Sequence, residues 1–219
     1  MAFEDELLET RPHGSAKVNW IRRRNRLKEL FGWAVWDGNN TPVQRPPNLQ
    51  TERLVLVALL PQEIEALIAR NCWCFAELTG FRFPSDNPDI GDLAWHLGAI
   101  QADDRHTPWR MRVIVDRSSN TVVGSINLKG PPSVAGDVEI GWGLVENVRG
   151  RGYATEASAA VISWAQQQPG VTSISATIPD DNYPSQHVAK RLGLTRTSET
   201  RRGLPLWQLD ENRAANLVR

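Results

Sequence analysis

A chain of 219 residues with 25 Lys+Arg against 25 Asp+Glu and a pI near 6.9 has no charge excess to hold it on nucleic acid or an acidic membrane surface. It is long enough for one well-buried domain with an appendage. Residues 1–10 are acidic and lack the basic-then-apolar order of a secretory leader, and no run approaches the ~18 apolar residues of a transmembrane helix, so a cytoplasmic location is expected. Cys72 and Cys74 are the only cysteines. A C-x-C pair without a second pair lacks the ligands of a structural zinc site, and His13, His96 and His106 form no metal spacing. No metal is expected.

Residues 1–48 read as an N-terminal extension and linker. They hold a helical pattern over 20–31 with Arg22, Arg23, Arg24, Arg26 and Lys28, then Trp33 and Trp36, then a Pro/Asn-rich strap over 39–48. Two readings of the basic cluster stand side by side. One is a solvated face, with the tryptophans packing the segment onto its own domain or a partner subunit. The other is a surface for RNA, where arginines meet phosphates and tryptophans stack on bases.

From Arg53 to Leu59 the pattern is an apolar strand. Pro61 suits the first turn of a helix whose buried stripe is Ile64, Leu67 and Ile68. A short helix is expected over 71–79, a turn-rich gap over 84–92, and a helix over 93–100 carrying Trp95 and Leu97. Residues 111–115 and 121–128 form an antiparallel hairpin around a turn at 116–120. A connector with Pro131-Pro132 and Gly136 leads to the central stretch.

In that stretch Val138, Ile140, Trp142 and Leu144 alternate with Glu139, Gly141, Gly143 and Val145, the period-two pattern of a strand with one buried face. The glycines on the second face predict a bulge or the close approach of another backbone. Arg149-Gly150-Arg151-Gly152-Tyr153-Ala154 follows, and from Thr155 the spacing becomes helical through Ala157, Ala160, Val161, Trp164 and Ala165, ending at Pro169-Gly170. A glycine turn opening a helix presents backbone N–H groups that no helix bond can satisfy, at the positive end of the helix dipole. Such a turn suits a phosphate, although helix-capping glycines with two solvated arginines would give the same letters. A strand over 171–178, a helix over 185–192 with Asn182 as its cap and Gly193 at its end, and a strand over 204–209 complete the chain. Strands interspersed with helices, with one strand-helix-strand crossover, indicate an α/β (α+β) fold.

Arg149, Gly152 and Ala154 fit the Gln/Arg-x-x-Gly-x-Gly/Ala signature of the GNAT superfamily of acyl-CoA-dependent N-acetyltransferases. Thr51-Glu52-Arg53-Leu54, Glu139-Ile140-Gly141-Trp142, Thr155-Glu156-Ala157, and Asn182-x-x-Ser185-x-x-Val188 before Leu192-Gly193-Leu194 resemble its ribosomal-protein N-terminal acetyltransferase branch. The resemblance implies a domain over 49–212 with a tail at 213–219, and a mixed, mostly antiparallel central sheet splayed at a bulge and flanked by helices. It implies acetyl-CoA as the cofactor and an amine-bearing acceptor, a peptide N-terminus or a small molecule, with a homodimer left open.

The resemblance also implies roles. Main-chain N–H groups over Gly150, Arg151, Gly152, Tyr153 and Ala154, with the charges of Arg149 and Arg151, would hold the diphosphate. A main-chain donor in the stretch of Trp142 and Leu144 would polarise the thioester carbonyl. Asn182 and Ser185 would bond the pantetheine arm, and Ser185 could donate to the leaving sulfur. The tyrosine that many members carry seven residues after the asparagine is here Ala189. Glu139 is the candidate base, with Asp137 second, because a carboxylate beside an apolar groove would have its pKa raised. Glu139 paired with a lysine or arginine across the sheet is the competing reading. The helices after the first strand would line the acceptor groove, where Trp73, Trp95 and Trp109 would suit an apolar acceptor. A non-catalytic acyl-CoA-binding protein with a closed groove is the alternative to an enzyme.

Overall fold

The computed structural model describes residues 45–84 and 91–209 together with two short strands, β1 (Val35–Trp36) and β2 (Pro42–Val43), which pair antiparallel. The basic cluster expected over 20–31 and the tail at 213–219 lie outside the described residues. An eight-stranded sheet organises the rest in the order β3-β4-β5-β6-β7-β8-β10-β9. Its strands are β3 (Leu49–Gln50), β4 (Leu54–Ala58), β5 (Arg112–Asp116), β6 (Thr121–Leu128), β7 (Asp137–Leu144), β8 (Ser173–Thr177), β9 (Leu194–Arg201) and β10 (Leu204–Leu209). All neighbours are antiparallel except β7 and β8, which are parallel. A parallel pair needs a crossover, and helix α4 (Tyr153–Gln166) supplies it.

Helices α1 (Pro61–Ile68), α2 (Cys72–Thr79) and α3 (Leu93–Ala102) lie between β4 and β5 in the chain. Local chemistry sets their starts. Pro61 opens α1, and the carboxylate of Glu63 accepts from the Leu60 N–H at 2.9 Å. Asn71 caps α2 by accepting from the Cys74 N–H at 2.9 Å, and Asp92 caps α3 by accepting from the Trp95 N–H at 2.9 Å. A 3-10 turn, Asp104–Trp109, then leads into β5.

The sheet carries a separate apolar core on each face. On one, Ala157, Val161, Ile162 and Ala165 of α4 pack on Leu56, Ile114, Ile126, Ile140 and Ile174, together with Ala189 and Leu192 near the end of α5 (Tyr183–Arg191). On the other, Ile64 and Leu67 of α1, Phe75 of α2 and Ile100 of α3 pack on Val57, Val113, Val115 and Val122. Each fully buried Leu or Ile contributes about 1.5–3 kcal/mol, so both faces of β4–β6 are firmly held. The sheet's register shifts between β5 and β6, where Val123 is the extra residue between the pairs Ile114↔Gly124 and Val115↔Val122.

Several elements depart from the sequence-based expectation: β7 pairs with β6 without a register shift at Gly141 or Gly143, where a bulge is expected, and α5 starts at Tyr183, ahead of the expected 185. β9 has no apolar alternation, because it is the edge strand and only Leu194 of its residues is buried. The central helix starts at Tyr153, ahead of the expected Thr155. Among the described residues, no helix is long and apolar enough to cross a membrane.

Candidate active site

The site begins where two strands part. β7 and β8 pair over Asp137↔Ser173, Val138↔Ile174 and Glu139↔Ser175, whereas β7 runs on to Leu144 against β6. Along that pairing the Lys129 N–H donates to the Glu139 carbonyl at 2.8 Å, and the Val145 N–H donates to the Val123 carbonyl at 3.0 Å. Antiparallel strands turn alternate residues' N–H and C=O groups to opposite edges. Gly141 and Gly143 therefore direct theirs to β6, and Trp142 and Leu144 direct theirs to the edge that β8 has left.

That edge is one wall of a cleft of about 860 Å³. Arg149, Gly150, Gly152, Ala154 and Thr155 line a second wall, and Asn182, Pro184, Ser185 and His187 begin a third along α5. Gly150 and Gly152 have φ of +78° and +81°, a left-handed backbone that a side chain disfavours. Gly152 is the N-cap of α4 without a side-chain cap bond, so the first-turn N–H groups have no intrahelical acceptor. Arg149 reaches across the mouth of the gap, its Nε donating to the Leu144 carbonyl at 3.2 Å.

Of the residues expected at the cofactor, Trp142, Leu144, Arg149, Gly150, Gly152, Ala154, Asn182 and Ser185 line this one cleft. Arg151 and Tyr153 do not bring their side chains to it. Arg151 Nη2 donates to the Asn147 carbonyl at 3.3 Å, and the buried Tyr153 donates its hydroxyl to Asp116 Oδ2 at 3.0 Å. Helix periodicity explains Tyr153, which stands on the core-facing stripe with Ala157. Asn182 also caps α5, its Oδ1 accepting from the Ser185 N–H at 3.1 Å. Gly143, Thr155 and Val188, which the sequence motifs contain without a site role, line the cleft too, as do Pro184, His187, Lys190 and Arg191, which no motif singles out for the site. Pro184, His187, Val188 and Arg191 stand at i, i+3, i+4 and i+7, a helix face shared with the recognised Asn182-Ser185 end.

At Glu139 the structure gives a lowered pKa where the sequence predicts a raised one. Only 7 % exposed, Glu139 accepts from Lys129 Nζ, from Thr177 Oγ1 at 2.7 Å, from Arg201 Nη1 at 3.2 Å, and from Arg202 Nη2 at both oxygens, 2.7 and 2.6 Å. Burial acts to raise its pKa, but the bonds from Lys129, Thr177 and Arg201 outweigh it and hold the carboxyl below its ordinary value. The pairing across the sheet, which the sequence left open, is the arrangement found. Asp137 belongs to the same bonded network, accepting from Ser173 Oγ and Ser175 Oγ at 2.9 and 2.8 Å and pairing with Arg201 at 2.9 Å.

The groove tryptophans divide. Trp73 is buried in α2, and Trp109 packs edge-on against Trp164 of α4 with ring centroids 5.1 Å apart. Trp95 is 44 % exposed under the Arg110 guanidinium, 4.6 Å from its ring centroid. Ala189, at the usual tyrosine position, is fully buried. No His/Cys/Asp/Glu cluster suited to a metal occurs among the described residues.

A model of the acetyltransferase (GNAT) domain matches residues 53–195. The uncharacterized N-acetyltransferase YjdG of Bacillus subtilis (strain 168) is 33 % identical over 81 residues, 37 % of this chain and 48 % of that protein, so the chain spans about half the length of that curated relative. An acetyltransferase of Agrobacterium tumefaciens str. C58 superposes with a TM-score of 0.53 at 22 % identity, covering 80 % of this chain and 100 % of that one. The ribosomal L7/L12 alpha-N-protein acetyltransferase RimL superposes with a TM-score of 0.51 at 16 % identity, covering 80 % and 98 %. At such identities the structures share the fold alone. With the family model spanning most of the described domain and the sheet parting above a glycine turn, this chain belongs to the GNAT family of acetyltransferases, whose donor is acetyl-CoA.

Proposed function

We propose that the protein transfers an acetyl group from acetyl-CoA to a primary amine, on a protein N-terminus or a small molecule, by direct attack within a ternary complex. The observation that carries this reading is the end of the β7–β8 ladder at Glu139↔Ser175, which leaves the Trp142 and Leu144 amides facing a cleft closed by a helix N-terminus.

The fit to the cofactor rests on the glycine turn. A Cβ at Gly150 would meet nothing within 4 Å, so its side of the cleft is free for a ligand's oxygens beside the unsatisfied amides of α4. Those amides, with Arg149, Lys190 and Arg191 on the walls, suit a diphosphate. Bound acetyl-CoA supplies a thioester carbonyl for the amine to attack and a thiolate to leave. The amides of Trp142 and Leu144 are fixed donors for that carbonyl oxygen, and one preorganised donor is worth ~3 kcal/mol of barrier. Ser185, in the first turn of α5, is the hydroxyl assigned to the leaving sulfur.

The sheet face that carries Glu139, Gly141 and Gly143, with Ser125, Asn127 and Lys129 beside them on β6, is the approach for the acceptor. A carboxylate held below its ordinary pKa is a poor base, so Glu139 is assigned to anchoring. It fixes Lys129 and the β9–β10 turn, Arg201 to Gly203, at the acceptor's entrance. The test is release of free coenzyme A from acetyl-CoA in the presence of a panel of amines and N-terminal peptides.

One set of observations favours a second reading, a non-catalytic acyl-CoA-binding protein: Glu139 is saturated with donors and Ala189 replaces the usual hydroxyl. Cofactor binding without turnover on any amine of the panel would select it.

A further inference from the structure

Arg53 lies outside the cleft yet is bonded to its glycine turn. The connection between β3 and β4 rests on the first turn of α4, and Glu156 is the junction. Glu156 Oε1 accepts from Thr51 Oγ1 at 2.5 Å and from the Arg53 N–H at 3.0 Å, while Oε2 accepts from Arg53 Nε at 2.7 Å and pairs with Nη2 at 2.6 Å. This leaves Nη1 to donate to the Arg151 carbonyl at 3.0 Å. The guanidinium also covers the Tyr153 ring, 4.7 Å from its centroid. Arg117 holds the same connection from the far side, donating from Nη1 to the Thr51 and Glu52 carbonyls at 2.9 and 3.1 Å and from its N–H to the Arg53 carbonyl at 3.0 Å.

Peptide planarity turns this brace into a directional device. In a trans peptide the carbonyl of one residue and the N–H of the next point in opposite directions. With the Arg151 carbonyl turned onto Arg53, the Gly152 N–H is turned away from it, and Gly152 lines the cleft. Gly152, at a left-handed φ of +81°, has no side chain of its own to fix that N–H from the cleft side.

We infer that Arg53 is a positioning residue: clamped by Glu156, it aims the Gly152 N–H at the diphosphate and so sets the affinity for coenzyme A. The inference rests on the proposed reading of the cleft as the coenzyme A site. Arg53 is 45 % exposed, and a surface ion pair by itself adds little to stability, so its contribution should appear in the ligand.

The test is titration calorimetry with coenzyme A on the full chain, paired with the Gly152 amide resonance by NMR, for the wild type, Arg53→Gln, Arg53→Lys and Glu156→Gln. For Arg53→Gln the expected result is about a tenfold loss of affinity, the scale of one hydrogen bond to a charged group. At saturation the Gly152 amide shift should shrink while those of Trp142 and Leu144 are kept. Arg53→Lys, with charge but no fork, should fall between, and Glu156→Gln should follow Arg53→Gln in direction. Acetyl-CoA KM should rise with kcat retained. Affinity within twofold of wild type, or an unchanged Gly152 shift at saturation, overturns the inference and leaves the cofactor reading standing. If Arg53→Gln fails to fold, Glu156→Gln decides by the same two readouts. Absence of coenzyme A binding to the wild type overturns both.

Discussion

Both carboxylate oxygens of Glu139 accept from Nη2 of Arg202, at 2.7 and 2.6 Å, tying the middle of β7 to the tip of the β9–β10 turn 63 residues later in the chain. Arg202 makes this bond with a φ of +53°, a conformation in which arginine is uncommon, so the turn's geometry and the ion pair depend on each other.

Removing that anchor should weaken the protein in a pH-dependent way. Glu139→Gln should cost about 2 kcal/mol at pH 7, the range of hydrogen bonds to a charged group. Because the folded-state pKa lies below the ordinary value of 4.5, the carboxylate's contribution is fully present above that value. It is lost as pH falls through the lower folded pKa. Denaturant melts at neutral and acid pH should show the wild type and variant converging in acid. In turnover, the variant should raise the acceptor's KM and keep the pH profile of kcat. Loss of kcat by two orders of magnitude together with an altered low-pH limb, the size of a general-base effect, would return Glu139 to the role of base.

The glycine turn can be tested without any acceptor. A ligand present at 100 times its dissociation constant adds about 2.7 kcal/mol of apparent stability, so coenzyme A should raise the wild-type melting temperature by several degrees. Gly152→Val forces a branched side chain into a φ of +81° beside the Arg53 guanidinium. The variant should show no such rise.

Two glycines on adjoining strands should respond in opposite ways. A Cβ on Gly124 would stand 2.2 Å from the Gly143 carbonyl oxygen and 2.9 Å from Leu144 Cα, both main chain. Gly124→Ala must therefore displace the end of β7, at about 1–3 kcal/mol of stability and with a fall in kcat as the Trp142 and Leu144 amides move. A Cβ on Gly143 would meet nothing within 4 Å, so Gly143→Ala should keep the melting temperature and appear in KM rather than in stability.

The cations on the cleft walls predict a salt-dependent affinity. Lys190→Gln with Arg191→Gln removes two exposed charges at up to about 1 kcal/mol each, so coenzyme A should bind about tenfold more weakly at low ionic strength. The gap between variant and wild type should close near 1 M salt, where the Debye length is about 3 Å. Calorimetric titrations across a salt series measure both.

The sequence by itself determined the elements whose signals are local. The alternation of Val138 to Leu144, the glycines at 150 and 152 and the cap at Asn182 each state their structure within a few residues, because strand period, left-handed φ and capping are short-range properties. Several such signals in order also carried the family. Tertiary structure decided what depends on neighbours distant in the chain. The state of Glu139 is set by Lys129, Thr177, Arg201 and Arg202, and no property of residues 137–144 announces that company. β9 was illegible because an edge strand facing water needs no apolar alternation, and Lys190 and Arg191 became cleft residues only when α5 was laid against the parted strands. The brace from Arg53 to Arg151 joins residues 98 positions apart; each is an ordinary surface arginine until the sheet brings the start of the domain against the start of its central helix.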